Sequence, residues 1–253
     1  MTDELSRFTS DRRTRGDALW VTEQDWNAGV TENVDVVGDG LVGRDPVQRS
    51  GDFGNVVDDF ETGSLSAYRG DTGAFSVQSS VVYRGDYAAE ITRTGGSAGG
   101  ITSVSGLENY PKKGSEFSVK LRWDNGRRVH PMFRFGLRDG YNYYGFGLDA
   151  HESESGDTEA ILQKLVDGTG TVMDSTRDLD ELELYDGVWT EIRGVWRDDD
   201  TIAVKWLDDA GNELVSLQAV DSDHEGNSGI GIWSNHSGVS GSCTTWWDEI
   251  LTS

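Results

Sequence analysis

A chain of 253 residues with 35% hydrophobic content has room for one large domain, or for one domain and an appendage. Nine Trp, eight Tyr and eight Phe supply bulky core material, and 33 Gly against three Pro suit short strands joined by tight turns better than a disordered chain. With 45 acidic residues against 22 basic ones, the net charge of −23 makes duplex nucleic acid a poor partner, while a single cysteine excludes an internal disulfide.

Residues 1–55 open on Arg7, Arg12, Arg13 and Arg15, then pass through Trp20-Val21 and Asp25-Trp26-Asn27-Ala28-Gly29 to the alternating run from Val34 to Val42. One or two strands are expected there, too few to bury a core. The segment therefore reads as an extended arm, held by the rest of the chain or by another chain. Met1 to Phe8 contain no apolar core of a signal peptide, and nowhere is there an apolar run of about 18 residues to enter a membrane.

From Val56 to Ser253 the apolar period is two. Phe117, Val119, Leu121 and Trp123 alternate with polar residues, as do Ile202, Val204 and Trp206, so each run predicts a strand with one buried face. Shorter strands are expected at 75–79, 88–92, 160–166, 191–196, 229–233 and 246–251. The run 178–186 is the one contender for a helical turn or two. Asp139-Gly140 between two apolar runs predicts a hairpin with a two-residue loop. That register sets Leu137 opposite Asn142, Phe135 opposite Tyr144 and Phe133 opposite Phe146 as core pairs. Arg138 then faces Tyr141, Gly136 faces Tyr143 and Arg134 faces Gly145 on the outer side.

The order of these elements carries a resemblance. Val57-Asp58-Asp59-Phe60-Glu61-Thr62-Gly63 with Phe75-Ser76-Val77, then Tyr83-Arg84-Gly85-Asp86-Tyr87-Ala88-Ala89, resembles the opening strands of LamG-like and carbohydrate-binding jelly rolls. Trp189–Trp196, Thr201–Leu207 with the Asp209-Ala210-Gly211-Asn212-Glu213-Leu214 turn, and Gly229–Trp233 before Trp246–Ile250 resemble their later strands. The resemblance implies an all-β, two-sheet antiparallel jelly-roll sandwich, concanavalin A-like, over residues 56–253, with 1–55 as an N-terminal arm. The similar jelly rolls join a first-strand carboxylate to a last-strand Asp on a structural Ca²⁺; the matching positions here are Asp59, Glu61 and Asp248, which the acidity of the chain alone would equally explain as turn and edge residues.

No catalytic constellation stands out. Glucanases of this fold place carboxylates along one strand face, whereas the acidic clusters here (Glu152 and Glu154; Asp180, Glu181 and Glu183; Asp198 to Asp200) read as solvated turns. His130, His151, His224 and His236 lack metal-ligand spacing. An enzyme is therefore not expected. The outward strand positions instead collect Lys120, Arg122, Arg134, Arg138, Arg193 and Lys205, with Tyr141 and Tyr143 beside two of them. Arg122, Arg134, Arg138, Tyr141 and Tyr143 are the candidate ligand residues, since rings stack on sugar faces and guanidinium forks bind carboxylate or sulfate. Cross-strand ion pairing with Glu116, Asp124 or Glu191 is the competing use of the same bases.

Acid excess with only five lysines resembles proteins of salt-loving archaea or their viruses, because molar salt shrinks the Debye length to about 3 Å and screens self-repulsion. The arm resembles the openings of tail and surface proteins of haloarchaeal tailed viruses. These resemblances imply a virion component such as a tail fibre or turret. Its expected partners are other virion proteins and copies of itself through the arm, and a host surface glycan or surface-layer glycoprotein. The alternative is a non-viral carbohydrate-binding module of a halophilic cell, and after it a polysaccharide hydrolase.

Overall fold

The computed structural model describes residues 35–37, 40–42, 53–94, 97–124, 129–150, 158–177, 186–236 and 242–253. The chain divides into two compact units, Met1–Asp52 and Phe53–Ser253. In the first, β1 (Asp35–Val37) and β2 (Gly40–Val42) pair antiparallel. The basic arginines of the arm and the 178–185 stretch of the helical contender lie outside the described residues.

The second unit is a two-sheet antiparallel jelly-roll sandwich of the concanavalin A-like type. One sheet has seven strands in the order β12 (Thr169–Thr176), β11 (Thr158–Val166), β10 (Asn142–Ala150), β9 (Val129–Asp139), β16 (Gly229–His236), β7 (Ala98–Ser103) and β4 (Arg69–Gly70). The other has eight, ordered β15 (Glu213–Val220), β14 (Thr201–Leu207), β13 (Thr190–Trp196), β8 (Ser115–Trp123), β17 (Ser242–Thr252), β6 (Ala88–Thr94) and β5 (Phe75–Gln78), with β3 (Asn55–Asp58) also on β17. The chain crosses between sheets after β3, β4, β6, β7, β8, β12, β15 and β16, so β8, β16 and β17 pair only with strands distant in sequence.

The alternating runs supply the core. Phe117, Val119, Leu121 and Trp123 of β8 are all buried, facing Phe133, Phe135, Tyr144 and Phe146 of the opposite sheet. Phe117 meets the Phe135 ring at 4.7 Å between centroids, and Trp206 meets Trp123 at 5.5 Å and Phe146 at 5.7 Å. The Trp206 indole N–H is satisfied inside this core by Thr190 Oγ1 at 2.9 Å, whose hydroxyl donates onward to Leu121 O.

The β9–β10 hairpin keeps part of the expected register and breaks the rest. Phe135 opposes Tyr144, Arg134 opposes Gly145 and Phe133 opposes Phe146, as alternation requires. At the tip, however, Asp139 pairs with Asn142, so Gly140 and Tyr141 form the turn. The cause is the Asp139 carboxylate, which accepts from Tyr141 N at 2.9 Å and Asn142 Nδ2 at 3.0 Å and so makes Asp139 the first residue of the turn. The surplus residues are absorbed by a bulge around Gly136, whose φ of +55° is open to glycine. Gly136 and Leu137 thereby exchange sides. Gly136 turns to the core beneath Trp196 and Tyr144, and Leu137 joins the far face of the sheet.

A methyl group at residue 136 would stand 3.0 Å from Trp196 Cζ3 and carry a positive φ. Gly136→Ala is expected to destabilise the fold by about 1–3 kcal/mol in urea denaturation. An unchanged midpoint would show that the bulge relaxes.

Candidate functional site

The far face of the seven-stranded sheet, turned away from the main core, carries a second apolar cluster. Met132, Leu137, Tyr143 and Ile161 are buried there, with half-buried Leu165 and Trp233 against them. Glycines opposite the large residues let them lie flat. A Cβ on Gly145 would meet Met132 Sδ at 2.7 Å, and one on Gly100 would meet Trp233 Cδ1 at 2.7 Å. Gln163 Nε2 donates to Met132 Sδ at 3.3 Å, which places an amide on the same surface.

Arg134 sits at the centre of this bed. Its strand, β9, lies between β10 and β16, and the residues directly opposite it are Gly145 and Gly231. The diagonal neighbours are aromatic. The guanidinium carbon lies 4.3 Å from the Tyr143 ring centroid and 5.5 Å from that of Trp233. Among the described residues no carboxylate engages the guanidinium, and its Nε is buried without a hydrogen-bond partner. Desolvation accordingly lowers the Arg134 pKa, offset in part by the Tyr143 hydroxyl; desolvation likewise raises the Tyr143 pKa.

The other expected ligand residues are elsewhere. Arg138 is exposed at the hairpin tip and held by Asp139 at 3.1 Å and Asp167 at 3.3 Å. Tyr141, expected on the outer strand face, is a turn residue and 69% exposed, whereas Tyr143 is only 3% exposed and serves as packing for Arg134. Arg122 belongs to β8, in the other sheet, where it lies 5.4 Å from the Trp246 ring centroid. Three further bases are ion-paired: Lys120 reaches Glu191 across the strands at 3.0 Å as expected, Arg193 reaches Glu191 along its own strand at 2.8 Å, and Lys205 reaches Glu213, an acid outside the expected set, at 2.5 Å. Trp233 was absent from the expected set. Its outward position follows only once β16 is known to flank β9.

The calcium candidates do come near one another, since β3 pairs with β17, but their oxygens face donors. Asp248 is fully buried and accepts from Tyr83 N at 2.8 Å and Arg84 N at 3.2 Å through Oδ2, and from Glu249 N at 2.8 Å through Oδ1. Glu61 Oε1 accepts from Asp86 N and Tyr87 N at 2.8 and 3.0 Å, and Asp59 Oδ1 accepts from Glu61 N at 3.2 Å. Amide hydrogens aimed at these oxygens take up lone pairs and place partial positive charge where a cation would sit. The donor set does not fit Ca²⁺. Instead, Asp248 and Glu61 clamp the loop 83–87 by its backbone. Among the described residues no group of three or more His, Cys, Asp or Glu converges in metal-ligating fashion.

Fold and surface together define a jelly-roll sandwich with an apolar, arginine-centred sheet face. No protein-family model and no curated protein matches the sequence. Among solved structures the chain is similar to the CBM2 module of the evolved Dit of Lactobacillus casei BL23 phage J-1, at 12% identity and a TM-score of 0.53, over 78% of this chain and 95% of that one. It is also similar to the Bacteroides ovatus mixed linkage glucan PUL GH16, solved with a G4G4G3G product, at 11% identity and a TM-score of 0.52, over 78% and 98% of the two chains. At these identities the likeness is one of fold.

Burial pushes the Asp248 carboxyl up to about 6, against the three N–H bonds that favour its charge. A carboxyl raised in the folded state holds its proton longer there than in the unfolded chain, so its contribution to stability falls as pH rises from about 4 to about 6 and is flat above. The deficit of Asp248→Asn relative to the parent should therefore shrink by about 1–3 kcal/mol across that window in denaturant titrations. Melting temperatures in excess Ca²⁺ and in chelator should coincide; a calcium-dependent rise would show that these carboxylates bind the ion.

Proposed function

We propose that this protein is a non-catalytic, saccharide-binding component of a haloarchaeal tailed-virus particle. It presents the far face of its seven-stranded sheet to a host surface glycan and is joined to other virion proteins, and to copies of itself, through residues 1–55. The observation that carries the binding half is the bed of Trp233, Tyr143, Met132 and Leu165 around Arg134. Tyr143 and Met132 are buried and form its floor, so the half-buried Trp233 is the ring offered beside Arg134, and ring faces of that kind stack on the C–H faces of sugars. The two solved neighbours support the choice of ligand class, since one is named a CBM2 module and the other a glucan-product complex.

The absence of catalysis is argued from the charges on that face. Glu159, the outward residue of β11, is bound 3.6 Å from Arg177 Nε and has no described carboxylate partner arranged with it as acid and nucleophile. The viral half rests on the Arg-rich arm, on a net charge of −23 with five lysines, and on the occurrence of the same sandwich in a phage protein module. Molar salt would screen that charge and leave the carboxylates hydrated.

Two measurements test the reading. Mass spectrometry of purified particles should find the chain at structural stoichiometry, and its absence from particles would end the virion assignment. Trp233→Ala should lower retention on immobilised polysaccharide by about tenfold, the loss of one stacked ring, with no release of reducing ends by either protein in molar salt.

A further inference from the structure

We infer that Arg134 makes this face selective for anionic sugars, so that its ligand carries a carboxylate or a sulfate ester seated on the guanidinium fork. The inference rests on the saccharide reading above and adds the chemistry of the sugar.

Most basic strand residues in the described chain have found an acid: Lys120 and Arg193 share Glu191, Lys164 reaches Asp221 and Asp223, Arg93 reaches Asp71, and Lys205 reaches Glu213. With 45 acidic residues for 22 basic ones, a carboxylate beside any given base costs the sequence little. Around Arg134 the opposing positions are instead Gly145 and Gly231, and the diagonal ones Tyr143 and Trp233. Burying a cation with rings and no counter-charge is unfavourable, and an anion arriving at it recovers part of that desolvation as a charge-assisted bond.

Geometry narrows the anion. The Tyr143 and Trp233 ring centroids lie 4.3 and 5.5 Å from the guanidinium carbon and Nε is buried, so the terminal N–H groups are the donors that can present a fork to a ligand. A fork matches two oxygens of one planar or tetrahedral group, as in a uronate carboxylate or a sulfate ester. Tyr143 and Trp233 lie on opposite diagonals, so a sugar ring stacked on Trp233 brings its substituents towards the fork. Long-range attraction is not the source of this affinity. A chain of charge −23 repels a polyanion as a whole, so binding requires a local contact that outlasts screening.

The test is calorimetry on the full chain in molar salt with three polymers: polygalacturonate for carboxylate, dextran sulfate for sulfate, and dextran as the neutral reference. One or both anionic polymers should bind at least about tenfold more tightly than dextran, and which of them does so identifies the group. Arg134→Ala and Arg134→Lys should each remove that preference, about 10- to 100-fold, because lysine keeps the charge and loses the fork. Arg122→Ala, on the other sheet, should bind as the parent does, and near-UV circular dichroism confirms that each variant is folded. If dextran binds as well as the anionic polymers, or the Arg134 variants keep the preference, the anion inference is overturned and the saccharide reading stands. If the parent binds none of the three, both are overturned.

Discussion

The Phe117 ring pressed against Phe133 and Phe135 is the contact on which the sandwich depends. It joins the central strand of one sheet to the central strand of the other, and the remaining large residues are arranged outward from it. Trp196 and Tyr144 close one flank, and Trp123, Trp206 and Phe146 close the other. Each of these residues is fully buried, and the buried aliphatic residues of both sheets, such as Ile192, Ile202, Val204, Ile230 and Ile232, pack in around these large rings. A chain with only 35% hydrophobic residues can hold two sheets together this way, leaving nearly every other position free for the acidic surface.

That surface is more organised than net charge suggests. Carboxylates not facing solvent are committed to backbone amides or to bases. Asp221, although desolvation pushes its pKa up, is held low by Lys164, by Asp223 N and by the Tyr144 hydroxyl. Beside it, burial lowers the pKa of His224, whose ring packs against Tyr144 at 4.7 Å between centroids. Against this background Arg134 and Arg122, each beside an aromatic ring with a buried Nε that has no partner, are exceptions, and exceptions to local charge balance are where a site is to be sought.

The sandwich and its main strands were legible because alternation reports burial on one face: β8 and β14 have the inward residues that period two predicts. The edges were not. β12 is exposed along much of its length and has no apolar alternation, and β7 begins Ala98-Gly99-Gly100, with little side-chain signal at all. The candidate site was half legible. Arg134 and Tyr143 follow from the hairpin register, but Trp233 is 99 positions beyond Arg134 and reaches it only through a strand pairing that local pattern cannot reveal. The hairpin tip failed for a different reason. The Asp-Gly pair signals a turn, but a side-chain bond from the Asp selects which residues occupy it. The calcium expectation placed its carboxylates in the right neighbourhood, where amide donors and a metal ion are alternative claimants on the same oxygens.

The change of sides at Gly136 has a consequence for how a ligand would be received. Because β9 sends Phe133 and Phe135 inward and Leu137 outward, one strand is built into both apolar clusters. The outer surface is thereby fixed by the same folding event that fixes the interior, and its rings are already immobilised before anything arrives. The conformational entropy of ordering Tyr143 and Arg134 is spent when the chain folds, so a flexible polymer meeting that surface has only its own freedom to lose.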